Sequence, residues 1–271
     1  MLPVVYRNRP VGAKPITAPV APSSDFSSLG RIVAVIPARL ASTRLPRKVV
    51  RPLLGRPLLH WVVEAAQCCP QFQQVIVAVD SDEVAELCEQ QGWHYQRTDP
   101  ELPSGTDRMY AVAQSVPADL YVNVQGDEPL LEPAHIDALL RPFLLGSHVE
   151  VSTVKTPCSA ANITNPNAVK VVTASDGRAL YFSRATIPYD RDGTHPPYWK
   201  HLGLYAYRRA ALLRFAGLHP TALEQTERLE QLRLLENGLS LYVEAVDFDT
   251  VGVDTEEDLL RVEALLAGRE R

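Results

Sequence analysis

The stretch PARLASTRLPRK, residues 37–48, carries three arginines and a lysine, contains no glycine, and follows directly on an apolar β-branched run. Guanidinium groups offer planar forks of donors that match phosphate oxygens, and an ammonium adds a compact charge. Arg39, Arg44 and Lys48 are therefore candidates to hold a triphosphate, with Arg47 read as a solvated neighbour. Without glycine the loop matches neither the dinucleotide fingerprint nor the Walker loop, both of which need close backbone approach to phosphate. A cradle here would work through side chains. The alternative is a solvated basic loop of no special role.

An anion site calls for acidic partners elsewhere. In LYVNVQGDEP, residues 120–129, Asp127 falls just past a buried strand, with Gly126 letting the chain turn and Pro129 ending the pairing. Magnesium is commonly held by one or two carboxylates plus substrate phosphates and water, so Asp127 suffices to begin a Mg2+ site. The best second carboxylate is Asp254 in TVGVDTEEDL, residues 250–259, which also reads as an ordinary turn or helix-cap aspartate. Asp247 and Asp249 are weaker substitutes. SGTDR, residues 104–108, adds hydroxyls and a further cation but resembles many loop-to-helix starts.

These residues need a scaffold that gathers strand ends. From Arg31, short β-branched runs (RIVAVI, QVIVAV, LYVNVQ) alternate with segments of helical period (PLLHWVVEAAQCC, SDEVAELCEQQG), which is the pattern of crossover units around a mostly parallel sheet. In such sheets ligands gather beyond the carboxyl ends of the strands, where the basic loop and Asp127 both fall. After about residue 150 the strands VEVSTVKT, AVKVVTA, GRALYFSRA and HLGLYAYRR look antiparallel, which predicts an inserted lobe at about 150–215. EQTERLEQLRLLENG reads as one helix and LYVEAV as a strand. TEEDLLRVEALLAGRER closes the domain as an amphipathic helix capped by Thr255. The fold class is α/β, with a mostly parallel, nucleotide-binding sheet over 31–271. Residues 1–30, rich in proline and without a period, read as a loosely ordered extension.

Composition narrows the function classes. A chain of 271 residues, 46% hydrophobic, can bury a large core, and a net charge of −5 argues against a nucleic-acid partner, which needs a basic face. The four cysteines lack zinc-ligand spacing and read as reduced thiols. No stretch is long enough and apolar enough to span a membrane, and no secretory leader is evident at the amino end, so a soluble cytoplasmic protein without membrane insertion is the expectation.

Taken in order, PARLASTRLPRK, SGTDR, VNVQGDEP, NPNAVKVV, ALYFSRATIPYDRD, HLGLYAYR, LEQLR and GVDTEEDL resemble the bacterial CMP-Kdo synthetases, the 3-deoxy-manno-octulosonate cytidylyltransferases, from about Arg31 to Leu265. The resemblance implies a homodimeric, magnesium-dependent nucleotidyltransferase with a Rossmann-like sheet. Such an enzyme couples CTP to the sugar acid Kdo, giving CMP-Kdo and pyrophosphate for lipopolysaccharide synthesis. It implies nucleotide contacts from Ala38, Arg39, Arg44, Lys48, Ser104, Arg108 and Gln125, and magnesium ligation by Asp127 and Asp254. It also implies sugar-acid contacts from Arg184, His201, Tyr205, Glu230 and Gln231, and it marks Lys48, Asp127 and Asp254 as the catalytic set.

The chemistry of the sugar-acid set agrees, because a carboxylated sugar needs a cation and many hydrogen-bonding partners. Each residue also has a plainer role open to it: His201 as a structural histidine, Tyr205 as core packing, and Glu230 and Gln231 as a solvent-facing pair. Two departures stand out: Arg47-Lys48-Val49 replaces a Gly-Lys-Pro-like continuation, and residues 1–30 precede the family's usual start. Other readings are a cytidylyltransferase for 8-amino-Kdo or sialic acid, or a non-catalytic nucleotide-binding protein. Sialate synthetases have a glycine-rich loop where this chain has RLASTRLP. A dinucleotide-dependent oxidoreductase fails on the missing glycine fingerprint.

Overall fold

The computed structural model describes residues 25–42 and 45–269. Its strands are β1 (Ile32–Ala38), β2 (Pro52–Leu53), β3 (Arg56–Pro57), β4 (Gln74–Val79), β5 (Tyr95–Arg97), β6 (Leu120–Asn123), β7 (Val151–Pro157), β8 (Lys170–Thr173), β9 (Ala179–Ser183), β10 (Trp199–Arg208) and β11 (Leu241–Ala245). The helices are α1 (Leu58–Gln67), α2 (Asp82–Gln91), α3 (Gly105–Ser115), α4 (Pro133–Leu140), α5 (Ala160–Ile163), α6 (Arg209–Ala216), α7 (Ala222–Glu227), α8 (Gln231–Glu236) and α9 (Glu256–Arg269).

The central sheet runs β11-β7-β10-β6-β1-β4-β5, with the β8-β9 hairpin hung from β10. β1 lies parallel to β4 and β6, β4 to β5, and β7 to β11, while β10 alone along this path opposes both its neighbours. All seven residues of β1 are buried, as expected of a strand covered on both faces. Its side chains alternate between two cores. Ala34 and Ile36 pack with Val62, Val77 and Leu139, whereas Val33 and Val35 pack with Met109, Tyr121 and Phe215. Local chemistry sets the helix ends: the Ser81 hydroxyl accepts from Val84 N at 3.4 Å to start α2, and Gly92, at φ 70°, ends it.

Three expectations change. The inserted lobe is smaller than 150–215, because β7 and β10 are interior strands of the main sheet and only the segment between them projects. The polar residues of β7 in VEVSTVKT, read as part of an antiparallel lobe, are buried and internally satisfied. Ser152 Oγ donates to Leu139 O at 2.7 Å, and Thr153 Oγ1 donates to Leu204 O at 2.7 Å. The single helix read over 224–238 is two short helices, broken where Arg228 takes φ 55°.

The third change concerns the amino-terminal extension. Residues 1–24 lie outside the described residues, but the domain begins before Gly30: Phe26 and Leu29 are 9% and 7% exposed and join the core beside Ile32. A short 3-10 turn over Ser27–Leu29 presents both side chains to that core. Phe26→Ala is expected to lower unfolding free energy by about 2–4 kcal/mol, in the range of large-to-small core substitutions. Chemical denaturation would check this, and an unchanged midpoint would return Phe26 to a surface tail.

Candidate active site

β1 and β6 are paired with Val35 opposite Asn123, so the loops that follow them leave the sheet side by side. They meet at Gly126, where an added Cβ would lie 2.6 Å from Pro37 O. Only glycine permits that approach. The same contact sets Asp127 against the basic loop, and a cleft of about 670 Å³ opens there between Arg39, Lys48, Gln125, Asp127 and Asp254.

Lys48 stands at the centre. It begins a 3-10 turn entered through Arg47, which takes the left-handed conformation at φ 58° and ψ 34°. The backbone therefore takes, with arginine, the left-handed turn that glycine would adopt most readily, and the Arg47 side chain is tied to Glu83. Lys48 Nζ donates to Asp127 Oδ2 at 2.5 Å and to Asp254 Oδ1 at 2.9 Å. Its side chain is 13% exposed, against 27% for Asp127 and 41% for Asp254. Burial by itself lowers the pKa of the ammonium, but the attraction of the two carboxylates outweighs it and leaves Lys48 above the ordinary lysine value.

Asp254 reaches the cleft because its loop is pinned. Val253 N donates to Asp127 O at 2.9 Å, and Thr255, not Asp254, caps α9: the Thr255 hydroxyl accepts from Asp258 N at 3.2 Å while the Asp258 carboxylate accepts from Thr255 N at 2.9 Å. Asp249 is engaged instead by Lys200 at 2.8 Å. Two carboxylate oxygens within reach of one nitrogen can also converge on one small hard cation, so the pair fits Mg2+. Among the described residues no group of three or more His, Cys, Asp or Glu side chains gathers to complete a shell, leaving water and phosphate to do so.

Arg39 and Gln125 line the same cleft; the Arg39 guanidinium is exposed and donates to Pro103 O at 3.2 Å. Ala38 lies fully buried at the end of β1, and Arg44 lies outside the described residues. Ser104 serves as the N-cap of α3, accepting from Asp107 N at 3.1 Å. Arg108 does not face the cleft. It is fully buried, and its guanidinium donates to Thr98 Oγ1 at 2.8 Å and to the Asp99 and Pro100 carbonyls at 3.1 Å, with Asp80 at 3.5 Å. It is the strut of the 98–103 loop that Arg39 touches.

The sugar-acid set divides similarly. Thr106 donates to Glu230, which brings the α7-α8 junction onto the start of α3 beside Gly105 and so to the cleft wall. Burial pushes the Glu230 carboxyl upward, opposed by hydrogen bonds from Thr106 and Ser104. Half-buried Tyr205 pairs with Asn123 at the end of β6. Gln231, by contrast, is buried at the start of α8, and neither it nor Glu230 faces solvent freely. Arg184 donates to the carbonyls of Glu227 at 2.8 Å and Pro166 at 3.0 Å, which makes it a brace between segments. His201 is buried, its Nε2 lies 2.9 Å from Thr153 Oγ1, and burial, reinforced by the Lys200 charge, pulls it down to about 3.

Glu128 escaped the sequence reading, although its place in GDEP beside a candidate ligand was a signal. It is 9% exposed, Thr250 Oγ1 approaches its Oε1 at 3.4 Å, and its Oε2 has no hydrogen-bond partner. With the Val253–Asp127 bond it ties together the loops that carry the two aspartates. Burial, aided by the Asp127 charge, pushes its carboxyl up to about 8. The folded protein therefore keeps a proton that the unfolded chain releases near 4.5, and stability falls as pH rises between those values. Glu128→Gln abolishes that loss, so its melting temperature relative to the parent should climb steadily from pH 5 to pH 8. A pH-independent difference would contradict the assignment.

Comparison with known proteins agrees with this geometry. A family model described as cytidylyltransferase matches residues 33–245. The chain is 59% identical over 247 residues to the 3-deoxy-manno-octulosonate cytidylyltransferase of Acidobacterium capsulatum, covering 91% of this chain and 100% of that protein. It is 54% identical over 240 residues to the protein of the same name from Koribacter versatilis, covering 88% and 91%. Among solved structures it is similar to a CMP:2-keto-3-deoxy-manno-octonic acid synthetase complexed with CTP, at a TM-score of 0.85 and 39% identity over 88% of this chain and 99% of that one.

Proposed function

The chain belongs to the cytidylyltransferase family, among the 3-deoxy-manno-octulosonate cytidylyltransferases, and on that premise we propose that it activates Kdo with CTP, giving CMP-Kdo and pyrophosphate for lipopolysaccharide biosynthesis. The observation that carries this reading is the convergence of Lys48, Asp127 and Asp254 at the carboxyl edge of a parallel sheet, in a chain this similar to those enzymes. CTP occupies the cleft with its phosphates toward Arg39 and Lys48, and Arg44, which lies outside the described residues, is assigned to the triphosphate from the sequence alone. Glu230 and Tyr205 face the sugar acid, while Arg184, Arg108 and His201 hold the walls. We propose further that the working form is a cytoplasmic homodimer.

The reaction is an in-line displacement: the anomeric C2 hydroxyl oxygen of Kdo forms a bond to the α-phosphorus of CTP as the bond from that phosphorus to the oxygen bridging to the β-phosphate breaks, pyrophosphate leaves, and the hydroxyl proton is released to solvent. Positioning and charge neutralisation dominate such transfers, because there is little covalent chemistry for the protein to perform. Lys48 and the arginines neutralise charge that shifts onto the departing pyrophosphate. Asp127 and Asp254 are the residues that would hold Mg2+, which supplies Lewis-acid polarisation of phosphate oxygens.

Pyrophosphate release from CTP and Mg2+ should require a sugar acid and be fastest with Kdo when Kdo, its 8-amino analogue and sialic acid are offered in parallel. Preference for the analogue would move the substrate while keeping the site, and silence with all three would overturn the assignment. Asp127→Asn should lower kcat by about 100-fold or more, the size of loss typical when an electrostatic partner of the transition state is removed. Turnover near that of the parent would take Asp127 out of the site.

A further inference from the structure

Lys48 occupies the point on which the two aspartates converge. Its ammonium touches Asp127 at 2.5 Å and Asp254 at 2.9 Å, and these are the two carboxylates on which a bound divalent cation would converge. An ammonium and a dication cannot both sit in contact with the same two carboxylates without strong mutual repulsion at short range. Lys48 is also the most enclosed of the three side chains, at 13% exposed. The backbone beneath it is fixed, with Val50 N donating to Arg47 O and Arg51 N to Lys48 O, each at 3.1 Å. Only the four-carbon stem is free to carry the charge elsewhere. Among the described residues the protein gathers two carboxylates here and no third His, Cys, Asp or Glu side chain, so a metal would bind the free enzyme with few charged ligands and in competition with lysine.

We propose that Lys48 is the resident cation of the free enzyme, keeping the Asp127–Asp254 pair assembled, and that nucleotide binding exchanges it for the metal. The triphosphate draws the ammonium off the carboxylates and at the same moment supplies the oxygens that complete a divalent shell. Metal and nucleotide therefore enter together, and the metal-binding carboxylates are never left as an unneutralised pair. This rests on the assignment of Asp127 and Asp254 as metal ligands made above.

The test is Mn2+ binding, followed by electron paramagnetic resonance, to the intact protein without sugar acid. The samples are the parent, Lys48→Met, Lys48→Gln, Asp127→Asn and the Lys48→Met/Asp127→Asn double variant, each with and without CTP and each checked for its melting transition. Two neutral replacements guard against one failing to fold. Without nucleotide, the parent should bind Mn2+ weakly and the Lys48 variants about 10-fold more tightly or better, from loss of one like charge at contact distance. Asp127→Asn in the same background should cancel that gain. If the Lys48 variants match the parent within twofold while Asp127-dependent Mn2+ binding appears with CTP, the exchange is wrong and the ligand assignment stands. If Mn2+ binding is independent of Asp127 in every state, the ligand assignment fails and takes the exchange with it.

Discussion

The charge contact at Lys48 joins parts of the chain that sequence keeps far apart: Asp127 lies 79 residues away and Asp254 lies 206 residues away. Oppositely charged groups so distant meet only if the backbone delivers them to one edge, and the parallel pairing of β1 with β6 does that. The close passage of Gly126 over Pro37 O fixes the spacing on one side, and the Val253–Asp127 bond fixes it on the other. Enlarging either contact would separate the charges before touching any of them.

Much of this was readable in the sequence where residue type and position carried the same message. The fully buried β1 announced itself as an uninterrupted apolar run, and the place of Asp127 just past a strand followed from the run before it, whereas Asp254 sits in an irregular loop between β11 and α9. What could not be read was burial of polar groups. Arg108, Arg184 and His201 have the chemistry of ligand contacts, yet each is engaged within the protein: Arg108 and the half-buried Arg184 donate to backbone carbonyls, and His201 meets a threonine hydroxyl. Residue type states what a side chain can bond, whereas tertiary packing decides which partner it meets. The same limit hid the interior place of β7, whose Ser152 and Thr153 hydroxyls are satisfied by carbonyls inside the protein.

Buried cations recur as scaffolding in this fold. Lys170 is fully buried, with its ammonium donating to the carbonyls of Asn165 at 2.8 Å, Ala168 at 2.6 Å and Arg184 at 2.7 Å. Arg108 does the same for the 98–100 segment. Loops without a ladder of backbone partners leave carbonyls unmatched, and a buried positive group with several donors satisfies a set of them at once. The projecting segment between β7 and β10 and the loop beside Arg39 are both held this way.

The left-handed residue before Lys48 has a consequence for how this protein can vary. A β-carbon in that conformation costs roughly 1–2 kcal/mol, which glycine avoids and asparagine or aspartate partly avoid. Here arginine bears it, tied across to Glu83 on α2. The position is therefore unfavourable for β-branched residues and proline, and glycine at 47 would remove the backbone cost while giving up the tie to Glu83.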